Sequence, residues 1–224
     1  MVVNKPWGYE YLVYENNNVA LWFLNIKCGF STSMHCHPQK TTGLVLLNGV
    51  AELSFLADKK VISAPSKNMI RRGLFHSTKA LSEDGALIFE IETPNNKYDL
   101  IRLRDNYGRA SLGYENSTFE TVRNSEHLWI DDATIQLKNK LAYNFAGCSL
   151  FVEKVSKLED LRNLDPEEII IFLKGGLLKI MDGVLRYATI AGDIAHVSIL
   201  NIVVENVHSV DPETIILKII KNKL

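Results

Sequence analysis

The sequence predicts an all-β protein built from two tandem barrels or sandwiches. Short segments rich in branched and aromatic residues follow one another closely, and turn residues such as Asn48-Gly49 separate them. In the first half these segments are residues 19–26, 43–48, 50–55 and 86–91. Many short strands at close spacing are typical of a sandwich or barrel.

The second observation is an internal repeat. Residues 168–175 repeat the pattern of residues 42–49, which is a polar residue, an apolar run and a glycine. Intervals of nearly equal length then lead to two similar strands that begin at Ala86 and Thr214. A repeated supersecondary unit predicts two domains, and the polar stretch after Tyr107 places their boundary near residue 115. The predicted domains are residues 1–115 and 116–224.

One or two short helices are expected in the second half. Leu158, Leu161 and Leu164 recur at helical spacing within residues 156–164. A second short turn is expected to open at Ser125.

Composition and charge exclude several classes of partner. The chain is 46% hydrophobic and 23% charged, with a formal net charge of -1, which is an ordinary globular balance. It has no basic run, so nucleic acid is not an expected partner. It has no apolar stretch of membrane-spanning length and no signal-peptide pattern. Three irregularly spaced cysteines argue against a disulfide framework and predict a reducing, cytoplasmic location.

Three histidines form a candidate metal site. His35 and His37 lie at i and i+2, so on a strand both side chains point to the same face. His76 can join them from a neighbouring strand. Cys36, between the first two, faces the other way and is expected to pack. Imidazole suits one divalent metal ion, Zn in the first place and Fe, Mn, Ni or Co as alternatives.

The spacing of these residues resembles the metal-binding motifs of the cupin superfamily. Gly29, His35, His37, position 42 and Gly49 follow the first cupin motif, and residues 71–76 resemble a weakened second motif. Cupins are jelly-roll-like barrels with a metal at the mouth, usually held by three His and one Glu. The resemblance therefore implies a bicupin.

A narrower resemblance covers residues 4–112. Residues 5–8, Lys-Pro-Trp-Gly, and residues 99–109 look like the two ends of the cupin domain of type II phosphomannose isomerases, which also occurs in mannose-1-phosphate guanylyltransferases. Two departures stand out, because Thr42 replaces the motif's carboxylate and Arg71 replaces its proline. The second half keeps Glu168, but it has Val204 where our register places the counterpart of His76, and it has no H-x-H. We expect it to lack a metal and to act as a structural or dimerising half of a homodimer.

An aldose–ketose isomerase needs a base that moves a proton between two carbons. Glu90, Glu92 and Lys40 are the candidates, because they lie on or beside strands that flank the histidines. The two glutamates share one face of their strand. If that face points away from the barrel interior, they form an outward polar surface instead of part of the site.

Candidate substrate-binding residues are Arg102, Arg109, Tyr107 and Thr42. The resemblance places the two arginines in the closing signature, where a guanidinium suits a phosphate. Either arginine can instead pair with Asp99 or Asp105. Tyr107 and Trp7 can stack on a sugar ring or belong to the core. His127, His196 and His208 are interpreted as structural.

The sequence thus predicts a metal-dependent cupin that acts on a sugar or sugar phosphate, as an aldose–ketose isomerase similar to mannose-6-phosphate isomerase. Carbohydrate or polysaccharide biosynthesis is the usual context of that family. Two alternatives remain open. A three-His site also suits an iron dioxygenase acting on a small organic acid, and the missing carboxylate also suits a non-catalytic sugar-binding or scaffold cupin.

Overall fold

The computed structural model describes residues 2–109, 127–162 and 164–222. The chain divides into two compact units, residues 1–129 and 130–224. The boundary predicted near residue 115 lies outside the described residues. Strands dominate both units, which confirms the all-β prediction. None of the helices in the described part of the chain is long and apolar enough to cross a lipid bilayer.

The first unit contains eleven described strands, which are short and mostly apolar. They are β1 (Val2–Lys5), β2 (Gly8–Glu15), β3 (Ala20–Ile26), β4 (Met34–Cys36), β5 (Thr41–Asn48), β6 (Val50–Phe55), β7 (Lys59–Ser63), β8 (Ser66–Ile70), β9 (His76–Ala80), β10 (Ala86–Thr93) and β11 (Ile101–Arg104).

These strands form two antiparallel sheets. One has the order β1-β2-β3-β10-β5-β8 and the other the order β11-β4-β9-β6-β7. Buried side chains such as Trp22, Leu44 and Ile88 from the first sheet pack with Leu53 of the second in one core cluster. Removing this apolar surface from water holds the two sheets together.

Gly49, the last residue of the first motif, is required by the backbone. It joins β5 to β6 with a φ of 89°, a conformation that L side chains rarely adopt. A Cβ at this position would also overlap the carbonyl oxygen of Gly85. The motif glycine therefore fixes the turn that carries the chain from one sheet to the other.

The second unit has eight described strands, two α-helices and one 3₁₀ helix. In chain order they are α1 (Asp132–Lys138), β12 (Lys140–Phe145), β13 (Cys148–Lys154), the 3₁₀ helix (Leu158–Leu161), β14 (Ile169–Lys174), β15 (Gly176–Met181), β16 (Val184–Ile190), β17 (Ile194–His196), α2 (Val197–Val204), β18 (Ser209–Val210) and β19 (Ile215–Lys221).

The strand order of the second unit repeats that of the first. Its sheets run β12-β13-β19-β14-β17 and β16-β15-β18, which match β2-β3-β10-β5-β8 and β7-β6-β9. The strands predicted to correspond, β5 with β14 and β10 with β19, hold equivalent positions. The internal repeat read from the sequence is therefore a repeat of topology.

One part of the predicted register is wrong. Val204 was aligned with His76 of β9, but it lies at the end of α2, and β18 is the topological counterpart of β9. Helix α2 separates β17 from β18 and buries Val197, Leu200 and Val204 in the core of the second unit. Because this helix is inserted between matched strands, a residue-by-residue alignment of the two units is shifted in the segment that contains it.

The predicted helices are only partly right. Among the described residues of the segment 156–164, Leu158–Leu161 form a four-residue 3₁₀ helix. The turn expected at Ser125 lies outside the described residues, whereas α1 begins later, with the Asp131 side chain accepting a hydrogen bond from the backbone N–H of Thr134. Such a side-chain cap satisfies one of the N–H groups that have no partner within the helix.

Candidate metal centre

The three histidines come together on two neighbouring strands. His35 of β4 pairs directly with His76 of β9 in antiparallel register, and His37 follows β4. Their ring centroids lie 4.9 Å (His35–His37), 4.4 Å (His35–His76) and 5.6 Å (His37–His76) apart. One ring nitrogen from each lies within 4.8 Å of the others.

Each imidazole is oriented by a backbone carbonyl. His35 Nδ1 lies 2.8 Å from the Ser33 carbonyl oxygen, and His37 Nδ1 lies 2.6 Å from that of Asp99. His76 Nδ1 lies 3.0 Å from the carbonyl oxygen of Leu74. Because a carbonyl oxygen only accepts, each Nδ1 carries the proton and each Nε2 presents a lone pair.

Two of these lone pairs are buried without a partner. Nε2 of His37 and Nε2 of His76 have no hydrogen-bond partner among the described residues. Burial lowers the pKa of His37 and of His76 to about 4, and it holds the pKa of His35 well below its usual value, with the charge of His76 as the next cause. The cluster is therefore neutral near pH 7, the form in which imidazole binds metals.

The two candidate glutamates of β10 line the same cavity as the histidines. Glu90 and Glu92 are 8% and 2% exposed, so they do not form an outward polar face. Their carboxylates and one nitrogen of His37 lie within 4.8 Å of one another. Burial and the charge of Glu92 raise the pKa of Glu90 to about 7. Burial also acts to raise the pKa of Glu92, but Lys97 and Lys40 outweigh it and lower that pKa.

Lys40 is fixed by one of these carboxylates. It is 1% exposed, and its Nζ lies 2.8 Å from Glu92 Oε1. The side chain of Asp99 holds the same turn in place, because its Oδ2 accepts from the backbone N–H groups of Gln39 and Lys40. Asp99 thus positions both His37, through its carbonyl, and Lys40.

Sequence reasoning missed three charged residues that line this cavity, Lys5, Glu10 and Lys97. Glu10 Oε1 lies 3.2 Å from Lys97 Nζ and 3.6 Å from Lys5 Nζ. Lys97 also lies 3.8 Å from Glu92 Oε1, and its Nζ is 3.7 Å from the centroid of the Trp22 ring. A charged residue between two tyrosines, as at Glu10, was the available signal. Lys97 lies outside the strands and gave none.

Two of the four candidate substrate-binding residues, Arg102 and Arg109, line the cavity. Arg102 of β11 pairs with His35 in strand register. Arg109 also forms an ion pair with Asp105, with Nη2 lying 2.8 Å from Oδ1, as one interpretation of the sequence anticipated. Trp7 lines the cavity as well.

Tyr107 and Thr42 take other positions. Tyr107 packs against the core, and its hydroxyl donates to the Ser31 carbonyl oxygen at 3.0 Å. Tyr107 is not among the residues that line the cavity. Thr42 is 1% exposed, and its hydroxyl has no hydrogen-bond partner among the described residues. Whether either touches a substrate stays a prediction.

The donor set fits a divalent metal. Three neutral imidazoles with fixed tautomers turn towards one point, two of them with unpartnered lone pairs, and carboxylates lie within reach. Nitrogen donors with nearby oxygen donors suit Zn, Fe, Ni, Co or Mn. The hydrogen bonds to Nδ1 are the outer partners that metal-binding histidines usually have.

In the second unit, no group of three potential ligands comes together among the described residues. His208 Nδ1 accepts from the backbone N–H of Ile180, and His196 precedes α2 as its N-cap residue. His127 lies in the first unit against the Tyr11 ring, away from the cluster. The structural role expected for all three residues stays a prediction.

Comparison with known proteins identifies only structural neighbours. No protein-family model matches the sequence, and no curated protein matches it. Cupin and double-stranded β-helix proteins are among the similar solved structures. KdgF from Halomonas sp. is 16% identical, with 41% of this chain and 84% of that chain covered and a TM-score of 0.39.

Two further structures give similar values. An RmlC-like cupin from Shewanella frigidimarina is 12% identical, with 43% and 86% of the two chains covered and a TM-score of 0.40. The capsular polysaccharide assembling protein CapF from Staphylococcus aureus is 14% identical, with 47% and 34% covered and a TM-score of 0.41. At these scores the likenesses carry no argument about activity.

Proposed function

We propose that the first unit is a metal-dependent isomerase that interconverts an aldose and a ketose, with a sugar or sugar phosphate as substrate. One observation carries the proposal. Three imidazole lone pairs, two carboxylates and several cationic side chains face a single cavity. The resemblance of both ends of this unit to the type II phosphomannose isomerase domain makes mannose 6-phosphate the first substrate to test, in carbohydrate or polysaccharide biosynthesis.

His35, His37 and His76 would hold one divalent metal ion, Zn in the first place. When bound, such an ion supplies a Lewis acid that polarises the oxygens of a sugar. Glu90 is the candidate base, because its carboxylate lies beside His37 and inside the cavity. It would take the proton from C2 of an aldose and return it to C1 of the ketose. Lys40 also lines the cavity, and it would place a positive charge beside the carbonyl end of the substrate.

Arg102 and Arg109 would bind the anionic group of a sugar phosphate. Both line the cavity, and Arg102 lies beside His35 on the neighbouring strand. Arg109 is held by Asp105, so its guanidinium is already oriented before a substrate arrives. A phosphate can accept two parallel hydrogen bonds from a guanidinium.

Exchange of the C2 proton with solvent, followed by NMR, tests the proposal directly. Protein loaded with Zn, Mn, Fe or Co is incubated with a panel of hexose and pentose phosphates, and exchange is expected with at least one. An Arg102→Gln variant should raise KM for phosphorylated sugars far more than for the unphosphorylated ones. No exchange with any metal and any sugar contradicts the isomerase proposal.

The same samples separate the alternatives. Iron-dependent O₂ uptake with a small organic acid would favour the dioxygenase. Sugar binding by a protein that takes up no metal would favour the non-catalytic cupin.

We also propose that the protein is a homodimer joined through its second unit. Strand β16 lies at the edge of its sheet, and the hairpin that it forms with β15 exposes Ile180, Met181, Val184, Leu185, Tyr187 and Ile190. An edge strand with apolar side chains can pair antiparallel with its own copy. Light scattering on wild type and Leu185→Lys should give a dimer and a monomer, respectively, and a monomeric wild type contradicts this proposal.

A cytoplasmic location stays part of the proposal. Cys28, Cys36 and Cys148 form no disulfide, and reduced thiols are usual in a reducing compartment. Fractionation of cells expressing the full-length protein tests it.

A further inference from the structure

We propose that Glu92 on β10 supplies the carboxylate ligand that position 42 on β5 lacks. The metal centre would then be held by three histidines and a glutamate from a different strand than the motif predicts. This inference rests on the proposed metal centre, and it assigns Glu92 to the metal rather than to proton transfer.

The strand register brings the two positions together. Glu92 pairs directly with Thr42 in the antiparallel ladder between β10 and β5. Directly opposed residues point to the same face, with Cβ atoms about 4.5–5.5 Å apart. The next pair on that face is Glu90 with Leu44, and Leu44, Glu90 and Glu92 all line the cavity. A carboxylate at 92 can therefore reach into the space beside position 42.

The carboxylate lies close to the histidine cluster. Oxygens of Glu92 and Glu90 and a nitrogen of His37 all lie within 4.8 Å of one another, as do nitrogens of the three imidazoles. His37 belongs to both groups, and its Nδ1 is occupied by the carbonyl of Asp99. Nε2 of His37 is therefore the nitrogen that an ion would share between the histidines and the carboxylate.

The two oxygens of Glu92 have different surroundings. Oε1 receives Lys40 at 2.8 Å and Lys97 at 3.8 Å. Oε2 is buried and has no hydrogen-bond partner among the described residues. Leaving a buried carboxylate oxygen without a partner is costly, and a metal ion would satisfy it. The lysines hold the group in one orientation, as the outer partners of metal ligands do.

Glu92 fits this role better than Glu90 for two geometric reasons. It is the residue opposite position 42, whereas Glu90 lies opposite Leu44. Its carboxylate also binds Lys40, whose Nζ lies 2.8 Å from Oε1. A divalent ion near an uncompensated ammonium would be repelled, so the carboxylate both binds the ion and compensates Lys40.

Cobalt(II) binding tests the inference without any measurement of activity. Because Glu92→Gln alone leaves buried lysine charge, the informative comparison is Lys40→Met against Lys40→Met/Glu92→Gln, which differ only in the carboxylate. Affinity is measured by competition with a chelating dye, and coordination by the visible cobalt spectrum. Circular dichroism verifies that both variants are folded.

We expect the double variant to bind cobalt at least about 10-fold more weakly than Lys40→Met, with a changed spectrum. Adding Thr42→Glu to the double variant should restore affinity. Glu153→Gln is the matched control, because Glu153 lies between Lys140 and Lys218 in the second unit, away from any histidine cluster. It should bind cobalt as wild type does.

Equal affinity and equal spectra for Lys40→Met and the double variant would overturn the inference. That result leaves the isomerase proposal standing. Conversely, loss of cobalt affinity in the double variant together with no sugar proton exchange would support the inference and contradict the isomerase.

Discussion

At the scale of single residues, the histidine cluster is defined by what each Nδ1 contacts. The carbonyls of Ser33, Asp99 and Leu74 fix the tautomers of the three rings, so every Nε2 is left as an acceptor. Removing one ring removes a ligand but no part of the apolar core. The metal affinity and the stability of the fold should therefore respond differently to the same substitution.

His76→Ala is expected to lower the affinity for zinc or cobalt by more than about 100-fold, because it deletes one of three nitrogen ligands. The far-UV circular dichroism spectrum should stay that of the wild type. Calorimetric titration measures the affinity. His196→Ala, in the second unit, is the control and should bind metal normally. An unchanged affinity in His76→Ala would contradict the placement of the metal.

The burial of the histidine side chains also makes the stability of the protein depend on pH. The pKa of His37 and of His76 is lowered to about 4 from 6.5, so between these values the unfolded chain binds protons that the folded chain does not. The free energy of unfolding of the metal-free protein should therefore fall as the pH drops from 6.5 to 4, by on the order of 3 kcal/mol for each imidazole.

Glu90 acts in the opposite direction, because its pKa is raised from 4.5 to about 7 and the folded chain binds its proton first. Glu90→Gln should consequently make the acid destabilisation steeper. Urea denaturation at several pH values measures both profiles. A wild-type profile that is flat over this window would contradict the prediction.

At the scale of elements, the turns between strands depend on a few glycines. Gly49 joins β5 to β6 at a φ of 89°, and Gly73 lies between β8 and β9 at a φ of 71°. A Cβ at Gly49 would overlap the Gly85 carbonyl, whereas a Cβ at Gly73 meets nothing within 4 Å. A substitution at Gly49 therefore suffers both steric overlap and the cost of the left-handed conformation, whereas one at Gly73 suffers only the second.

Gly49→Ala is expected to destabilise the first unit by more than about 3 kcal/mol, since backbone atoms must move to relieve the overlap. Gly73→Ala should cost only about 1 kcal/mol, the price of a left-handed alanine. Urea unfolding followed by circular dichroism measures both. Equal losses of stability would show that the contact with Gly85 has no effect.

At the scale of the whole molecule, one topology occurs twice and carries a candidate site once. The eight described strands of the second unit repeat the order of eight strands of the first, but its described sheets contain no counterpart of β4 or β11. These two strands carry His35 and Arg102. The second unit therefore repeats the scaffold without the strand that carries His35 and precedes His37.

Metal binding should consequently act on the first unit only. Hydrogen exchange with and without zinc is expected to show slower exchange in β4, β9 and β10, because an ion held by their side chains opposes local opening. Strands β13, β14 and β19 should exchange at unchanged rates. Protection that appears in the second unit instead would contradict a single centre in the first.

The sequence by itself determined the class of fold and the histidine cluster. Strand periodicity is local, so the all-β class, the repeat and the shared face of His35 and His37 could be read from neighbouring residues. The spacing of the motif residues also predicted that His76, on a neighbouring strand, joins the other two histidines.

Only the tertiary structure decided which other charges meet the cluster. Glu10 and Lys97 are far apart in sequence and converge with Glu92 because β2, β10 and the segment after β10 are brought together by strand pairing. Glu92 pairs with Thr42, and the two residues lie 50 positions apart in the sequence. This pairing, and the choice of which face of β10 turns inwards, depend on the register between the two strands. A shift of one residue reverses every side chain, so local patterns could not decide it.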